Sequence, residues 1–141
     1  MSDLDVSILS PAKVVTRVKA TAVQLPGALC YMGILPGHAR LISELGIGQL
    51  TLDGVVAAEG QAGGKLAYFV AGGYVDVGDD KVTVLVDVVE RVADIDVARA
   101  EKAKQRAAER LESKASAVDL ARAQAALARA QQRLALASHG R

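Results

Sequence analysis

Catalysis needs a nucleophile, an acid–base pair or a metal cluster at workable spacing, and the candidates in this chain stand alone. Gly63-Gly64-Lys65 ends like a phosphate-binding loop. However, Glu59 occupies the earlier glycine position, and Leu66 stands where a Ser or Thr would reach magnesium. A hairpin turn is the better reading of those glycines. His38 follows Pro36-Gly37 with no acid or nucleophile at a recognisable spacing, and neither GxGxxG nor GxSxG occurs. The single cysteine, Cys30, has only His38 and His139 beside it as soft ligands, too few for a zinc site. It has no second cysteine for a disulfide within the chain, which fits a reducing compartment. No catalytic or metal-binding residue is assigned, and the chain does not read as an enzyme.

Two groups of residues rise above that background. Gly33-Ile34-Leu35-Pro36-Gly37-His38-Ala39-Arg40-Leu41 packs two glycines and a proline into a few positions, an ordered turn that presents His38 or else an ordinary strand corner. Ile95-Asp96-Val97-Ala98-Arg99-Ala100 opens an apparent helix, with Asp96 and Arg99 at i and i+3 on one face. Further on, Arg122, Arg129 and Arg133 form a stripe spaced by seven and four. Guanidinium groups brought together across a helical hairpin grip phosphates in a bidentate way, and a solvated face with ordinary ion pairs is the plainer alternative.

The elements that must carry these residues divide the chain in two. Twelve of the 13 glycines lie between Gly27 and Gly78, and all three prolines lie at or before Pro36. Residues 1–86 hold 6 Lys/Arg and 8 Asp/Glu, net −2, while residues 87–141 hold 11 and 8, net +3. The first part reads as short strands. Arg17 to Gln24 alternates, with Val18, Ala20 and Ala22 opposite Arg17, Lys19 and Thr21, and Lys81 to Val86 repeats the period through Val82, Val84 and Val86. Leu4–Leu9, Gly48–Leu52, Tyr68–Val70 and Tyr74–Val77 are further strand candidates. Pro26-Gly27, Asp53-Gly54, Gly63-Gly64, Gly72-Gly73 and Gly78-Asp79-Asp80 are the turns between them, Asp53-Gly54 as a tight hairpin. Many short strands spaced by turns predict an antiparallel sandwich or barrel.

The second part predicts two helices. Asp94 is the expected first N-cap, the helix running from Ile95 to about Ser113, and Ser116 is the second cap. Leu120, Ala123, Leu127, Ala130, Leu134 and Ala137 step by three and four, a seam that faces Val97, Ala100, Ala103, Ala107 and Leu111 of an antiparallel neighbour. A buried alanine methyl contributes only ~0.8 kcal/mol against roughly 1.5–3 for leucine, so the hairpin is expected to peel away from the sandwich and extend, opening more readily than the sandwich core, with a static alanine-rich coiled coil as the plainer alternative. The expected domains are a β-sandwich over residues 1–87 and a helical hairpin over residues 88–141.

Composition closes off other classes. Lys plus Arg is 17 against 16 for Asp plus Glu, and aromatic residues make up 3%, so neither a phosphate-backbone grip nor base stacking is indicated; nucleic acid is not an expected partner. The start, Met1-Ser2-Asp3-Leu4-Asp5, is acidic and does not read as a secretory signal. Ala20 to Ala39 lacks Asp, Glu, Lys and Arg, yet its two prolines, three glycines and alternating pattern make it strand and turn rather than a membrane span.

Taken together, Leu4–Leu9 with Ser10-Pro11, the GILPGHA loop, Gly46-x-Gly48-x-Leu50, the K-V-T-V-L-V-D strand at Lys81–Asp87 and the IDxxRA helix start resemble the ε subunit of bacterial F-type ATP synthase over nearly the whole chain. The resemblance implies an all-β sandwich of about ten strands followed by an antiparallel two-helix hairpin. It implies a non-catalytic rotor subunit, a peripheral membrane protein of the F1 central stalk on the cytoplasmic face of the bacterial plasma membrane, which meets the membrane only through the complex. The implied partners are the γ subunit and the c-ring. The α and β subunits join them when the hairpin extends and inhibits ATP hydrolysis. Ion-driven rotation is thereby coupled to ATP synthesis on other subunits.

No cofactor is required by that role. In some members, though, the folded hairpin binds ATP as a non-hydrolysed regulatory ligand, and the matching positions are Glu90, Asp96, Arg99, Arg129 and Arg133. The ring-facing loop maps onto Tyr31, Gly33, Pro36, Gly37 and His38. Two departures stand out: Cys30-Tyr31 replaces a Gly-Glu pair, and Arg40 replaces a proline. Tyr31 thus puts an apolar or hydrogen-bonding contact where the family has an acid. A stand-alone ATP-sensing module and a sandwich adaptor with a coiled-coil arm are the competing functions, and co-purification with γ and the c-ring separates them.

Overall fold

The structure, a computed structural model, describes residues 3–56, 64–113 and 116–139. It divides into two compact units, Met1–Arg91 and Val92–Arg141. The first unit holds eight strands among its described residues: β1 (Leu4–Leu9), β2 (Val14–Ala20), β3 (Ala22–Pro26), β4 (Tyr31–Ile34), β5 (Leu41–Glu44), β6 (Ile47–Val55), β7 (Gly64–Gly78) and β8 (Lys81–Arg91). They are hydrogen-bonded in the order β2-β1-β8-β7-β6-β3-β4, with β5 also on β7. All pairs are antiparallel except β1 with β8. The β-sandwich architecture is as expected, with eight strands among the described residues where the resemblance implies about ten.

The sheet folds into two layers because β7 belongs to both. Its first half, Gly64 to Ala71, pairs with β6, and its second half, Tyr74 to Val77, pairs with β5 on the same edge. Between them Gly72 and Gly73 take φ values of +75° and +123°, a bend that side-chain-bearing residues resist. The sequence pattern places a turn at Gly72-Gly73 between two short strands; the structure has one 15-residue strand with a kink. Inside, the alternating sets of the two layers meet: Leu4, Val6, Ile8, Val75, Val77, Val82, Val84 and Val86 from one, and Val23, Leu25, Ile34, Leu50, Leu52, Tyr68 and Val70 from the other. Each of these aliphatic side chains contributes roughly 1.5–3 kcal/mol of burial.

Two further corrections share one corner. Arg17–Gln24 is not a single strand, because the chain bends at Thr21 and the buried set shifts phase, from Ala20 to Val23 and Leu25. Asp53-Gly54 is not a hairpin turn but lies inside β6, where the pairing register shifts and Gly54 has φ +60°. That bulge receives the bend: the Asp53 carbonyl accepts from Thr21 N at 2.9 Å and from Thr21 Oγ1 at 3.2 Å. The turn expected at Gly63-Gly64 begins outside the described residues. Gly78-Asp79-Asp80, by contrast, does turn β7 into β8, with φ +52° and +58° at the two aspartates.

In the second unit a short 3-10 turn at Val92–Asp94 precedes α1 (Val97–Glu112), and α2 spans Ala117–His139. Asp94 is therefore not the N-cap; Asp96 is, its Oδ1 accepting from Arg99 N at 3.1 Å. Ser116 caps α2 as expected. Its Oγ accepts from Asp119 N at 3.3 Å and lies 3.0 Å from Asp119 Oδ2, to which the hydroxyl donates. The seam is buried at its alanines: Ala100 and Ala107 on α1, and Ala123, Ala130 and Ala137 on α2, each seven residues from the next. Leu120, Leu127 and Leu134 are half-buried beside them, and Leu136, outside the predicted seam, is buried as well.

Candidate functional site

The GILPGHA segment leaves β4 at Ile34, which is buried and anchors it. The loop then closes on itself, His38 N donating to Leu35 O at 3.1 Å. Asp80, in the β7–β8 turn, accepts the Gly37 N–H on Oδ1 at 2.7 Å, so two turns 43 residues apart are tied together. Asp5 N donates to Asp80 O at 2.8 Å and brings the start of β1 to the same end. His38 is half-buried and its Nδ1 lies 2.7 Å from Ala39 O, which makes that nitrogen a donor to its own loop. Arg40 lies flat over Gly78, where an added Cβ would meet its Nη1 at 3.3 Å. Pro36, Gly37 and His38 thus form one ordered loop, while Gly33 lies in β4 opposite Gln24.

Tyr31 is at the far end of β4 and does something the sequence did not reveal. Its hydroxyl accepts the Gln49 N–H at 3.0 Å, across 18 residues of chain. The ring reaches Gln49 over Gly48, where a Cβ would sit 2.5 Å from the hydroxyl oxygen. The paired Gly46-x-Gly48 spacing was the only signal available, and it does not say which side chain needs the room.

One further surface of the sandwich becomes visible only once the strands are paired. On β1, β5, β7 and β8 the residues between the core positions point outward. Val14 pairs with Leu9, Leu9 with Leu85, and Leu85 with Tyr74, while Ile42 is diagonal to Tyr74 through Glu44 and Asp76. These residues make a row across five neighbouring strands. Ile42 is 70% exposed, Tyr74 57%, Leu85 50% and Val14 49%. Single exposed apolar residues are commonplace, but an apolar row crossing a sheet is a candidate surface for meeting another protein.

The nucleotide-site candidates are distributed over both units. Glu90 lies in β8, opposite Phe69 of β7, and is half-buried. Asp96 and Arg99 begin α1, the Asp96 carboxylate engaged with the Arg99 backbone and the Arg99 side chain exposed. They line an open concavity of about 620 Å³ together with Ala98, Lys102, Gln105, Arg106 and Glu109, all from α1. Arg129 and Arg133 on α2 are half-buried, and neither lines that concavity. Arg122 faces a separate hollow of about 330 Å³ with Arg110, Ser113, Asp119 and Ala123. Among the described residues no group of three or more His, Cys, Asp or Glu is placed to hold a metal ion, and no helix is long and apolar enough to cross a membrane.

Comparison with known proteins agrees with both units. Residues 3–92 match the family described as ATP synthase, Delta/Epsilon chain, beta-sandwich domain, and residues 93–138 match its long alpha-helix domain. The ATP synthase epsilon chain of Koribacter versatilis is 43% identical over 107 residues, 75% of this chain and 70% of that one. The epsilon chain of Myxococcus xanthus is 39% identical over 116 residues, covering 82% and 80%. Among solved structures, a chain of the Euglena gracilis mitochondrial ATP synthase (OSCP/F1/c-ring) superposes with a TM-score of 0.77 at 21% identity, over 96% of this chain and 81% of that one. A chain of the Tetrahymena thermophila mitochondrial ATP synthase (central stalk/c-ring) gives 0.63 at 13%, over 96% and 97%. At those identities the structures speak for the fold.

Proposed function

The chain belongs to the delta/epsilon family of ATP synthase as a non-catalytic subunit of the F1 central stalk, with catalysis carried by other subunits, and on that footing we propose that its sandwich grips the γ subunit through the Val14–Leu9–Leu85–Tyr74–Ile42 row. The row is the observation that carries this reading: it is apolar, it crosses five strands, and four of its five residues, Val14, Leu85, Tyr74 and Ile42, stand exposed. The GILPGHA loop, with Tyr31, faces the c-ring, and rotation driven by ion flow passes through the sandwich to γ. This puts the subunit on the cytoplasmic face of the bacterial plasma membrane, held there by the complex.

The helical hairpin is the regulatory part. Folded, it leaves hydrolysis free; extended along γ, it reaches the α and β subunits and obstructs rotation in the hydrolysis direction. ATP, bound without hydrolysis by Arg99, Arg129 and Arg133 with Glu90 and Asp96 as supporting residues, favours the folded form by its differential affinity. What supports this is the presence of all five residue types at the matching positions and the α1 concavity, lined by Arg99, Lys102 and Arg106 with Asp96 and Glu109.

Substituting Leu85→Lys tests the grip. Burying an unpaired ammonium in the row costs several kcal/mol, so the variant is expected to lose co-purification with γ while remaining folded, since Leu85 points away from the core. Retention of γ at wild-type yield refutes the row as the interface. Calorimetric titration of the isolated chain with millimolar ATP tests the nucleotide reading; absence of heat removes it and leaves the rotor role standing.

A further inference from the structure

Resting on the γ-grip reading above, we propose that charges flanking the apolar row fix the direction in which γ docks. An acidic rim, Glu44 and Asp87, lies on one side of the row, and a basic rim, Lys19, Lys81 and Arg40, on the other. The matching γ surface sets bases against the first and acids against the second. Strand register places both rims on the outward face. Glu44 stands opposite Tyr74, and Tyr74 opposite Leu85. Asp87, two residues beyond Leu85, lies over Gly72, where an added Cβ would meet its Oδ2 at 2.7 Å. In the other direction along β8, Lys81 is opposite Gly78 on one side and Asp5 on the other, and Asp5 is opposite Lys19. The Arg40 guanidinium covers Gly78 and completes that rim. All five side chains are exposed.

The chain itself leaves both rims largely unanswered. Among the described residues, Glu44, Asp87, Lys81 and Arg40 have no opposite charge within 4.0 Å, and Lys19 reaches Asp5 only at that distance. Between the rims, Arg17 and Asp76 stand on different strands and cancel in charge. Lys81 to Asp87 covers six steps of an extended strand, roughly 20 Å. That is more than twice the Debye length of about 8 Å at physiological salt. A partner therefore feels each rim by itself rather than the net charge of the unit. An apolar row alone accepts a partner in either direction along the strands, whereas oppositely charged rims reject one of the two. A lipid surface or a nucleic acid carries one sign of charge and is repelled by one rim. The occupant is thus a protein surface with an apolar strip between flanks of opposite sign, and in the central stalk the subunit that the row grips is γ.

The test follows association of the full-length chain with a complex of the α, β and γ subunits, at low salt and at about 0.15 M salt. Glu44→Lys with Asp87→Lys reverses the acidic rim, and Arg40→Glu with Lys81→Glu reverses the basic one. Each pair is expected to slow association about tenfold at low salt and to flatten its salt dependence. Glu44→Gln with Asp87→Asn keeps the side-chain shapes and is expected to slow it about threefold. The four reversals together restore the net charge of the unaltered chain, yet this variant is expected to associate slowest. If it regains the original rate, only total charge is felt and the proposal is overturned. Unchanged rates in both rim pairs also overturn it. In that case loss of γ by Leu85→Lys leaves the grip standing without the rims, and retention of γ by Leu85→Lys removes the grip as well. A dimer of the chain alone in sedimentation at low salt, dissociated by either rim reversal, assigns the face to a second copy and overturns γ as its occupant.

Discussion

Asp80 meets two demands with one side chain. It sits at φ +58° in the β7–β8 turn, and its carboxylate accepts the Gly37 N–H at 2.7 Å. Asparagine tolerates that backbone and keeps an acceptor oxygen, whereas alanine does neither. Asp80→Ala is therefore expected to cost about 2–3 kcal/mol in urea denaturation and Asp80→Asn under about 1, from the left-handed backbone penalty and a lost charged hydrogen bond. Equal losses in the two variants would show that the carboxylate charge, not the acceptor geometry, holds the loop. At this scale the sequence was legible wherever chemistry is local. Pro36-Gly37 announced an ordered turn, and Ser116 announced a cap three residues before its partner Asp119. The Tyr31–Gln49 and Gly37–Asp80 bonds were not legible, because each joins residues that only the folded sheet brings together. The cap at α1 was misplaced by two positions, as Asp94 and Asp96 are equally plausible until the 3-10 turn at Val92–Asp94 is seen.

Elements were legible by period and misread at their ends. Alternation located β1 and the first half of β8, since Val82, Val84 and Val86 are buried as the pattern requires. The glycine pairs misled, because Gly in φ > 0 serves a turn, a bulge or a bend alike. Gly54 makes a bulge and Gly72-Gly73 a bend, and only strand pairing distinguishes them. In the hairpin, heptad counting found the buried alanines because the interface is short-range and repetitive, while Val97 of the expected seam is exposed. Its alanines leave little space: Ala130 is fully buried between half-buried Leu127 and Leu134. Ala130→Leu is expected to destabilise the helical unit by about 1–3 kcal/mol through overpacking. Amide exchange should rise along α1 and α2 while β1, β7 and β8 keep their protection. Accelerated exchange in both units together would mean that the hairpin and the sandwich unfold as one body, against the separate opening expected from the alanine seam.

For the whole molecule, the position of a cut matters. Residues 88–91 continue β8 and pair with Tyr68, Phe69, Val70 and Ala71 of β7, so removing everything after Asp87 strips a strand end from the sandwich. A chain ending at Arg91 keeps that ladder. In the assembled synthase, loss of residues 92–141 is expected to raise ATP hydrolysis several-fold while proton pumping stays coupled, read as phosphate release and vesicle acidification. Unchanged hydrolysis would argue against the inhibitory arm. Surface ion pairs add little to this unit: Asp5–Lys19 at 4.0 Å and Asp53–Lys65 at 3.9 Å are both exposed, each worth under about 1 kcal/mol. Cohesion comes instead from the shared core and from β7, whose unbroken backbone serves both layers. A sandwich of two separate sheets carries a twisting load across a greasy seam that creeps. Here the two layers share one covalent backbone, so a load applied to one layer is passed to the other without slip, and the sandwich is stiff in shear.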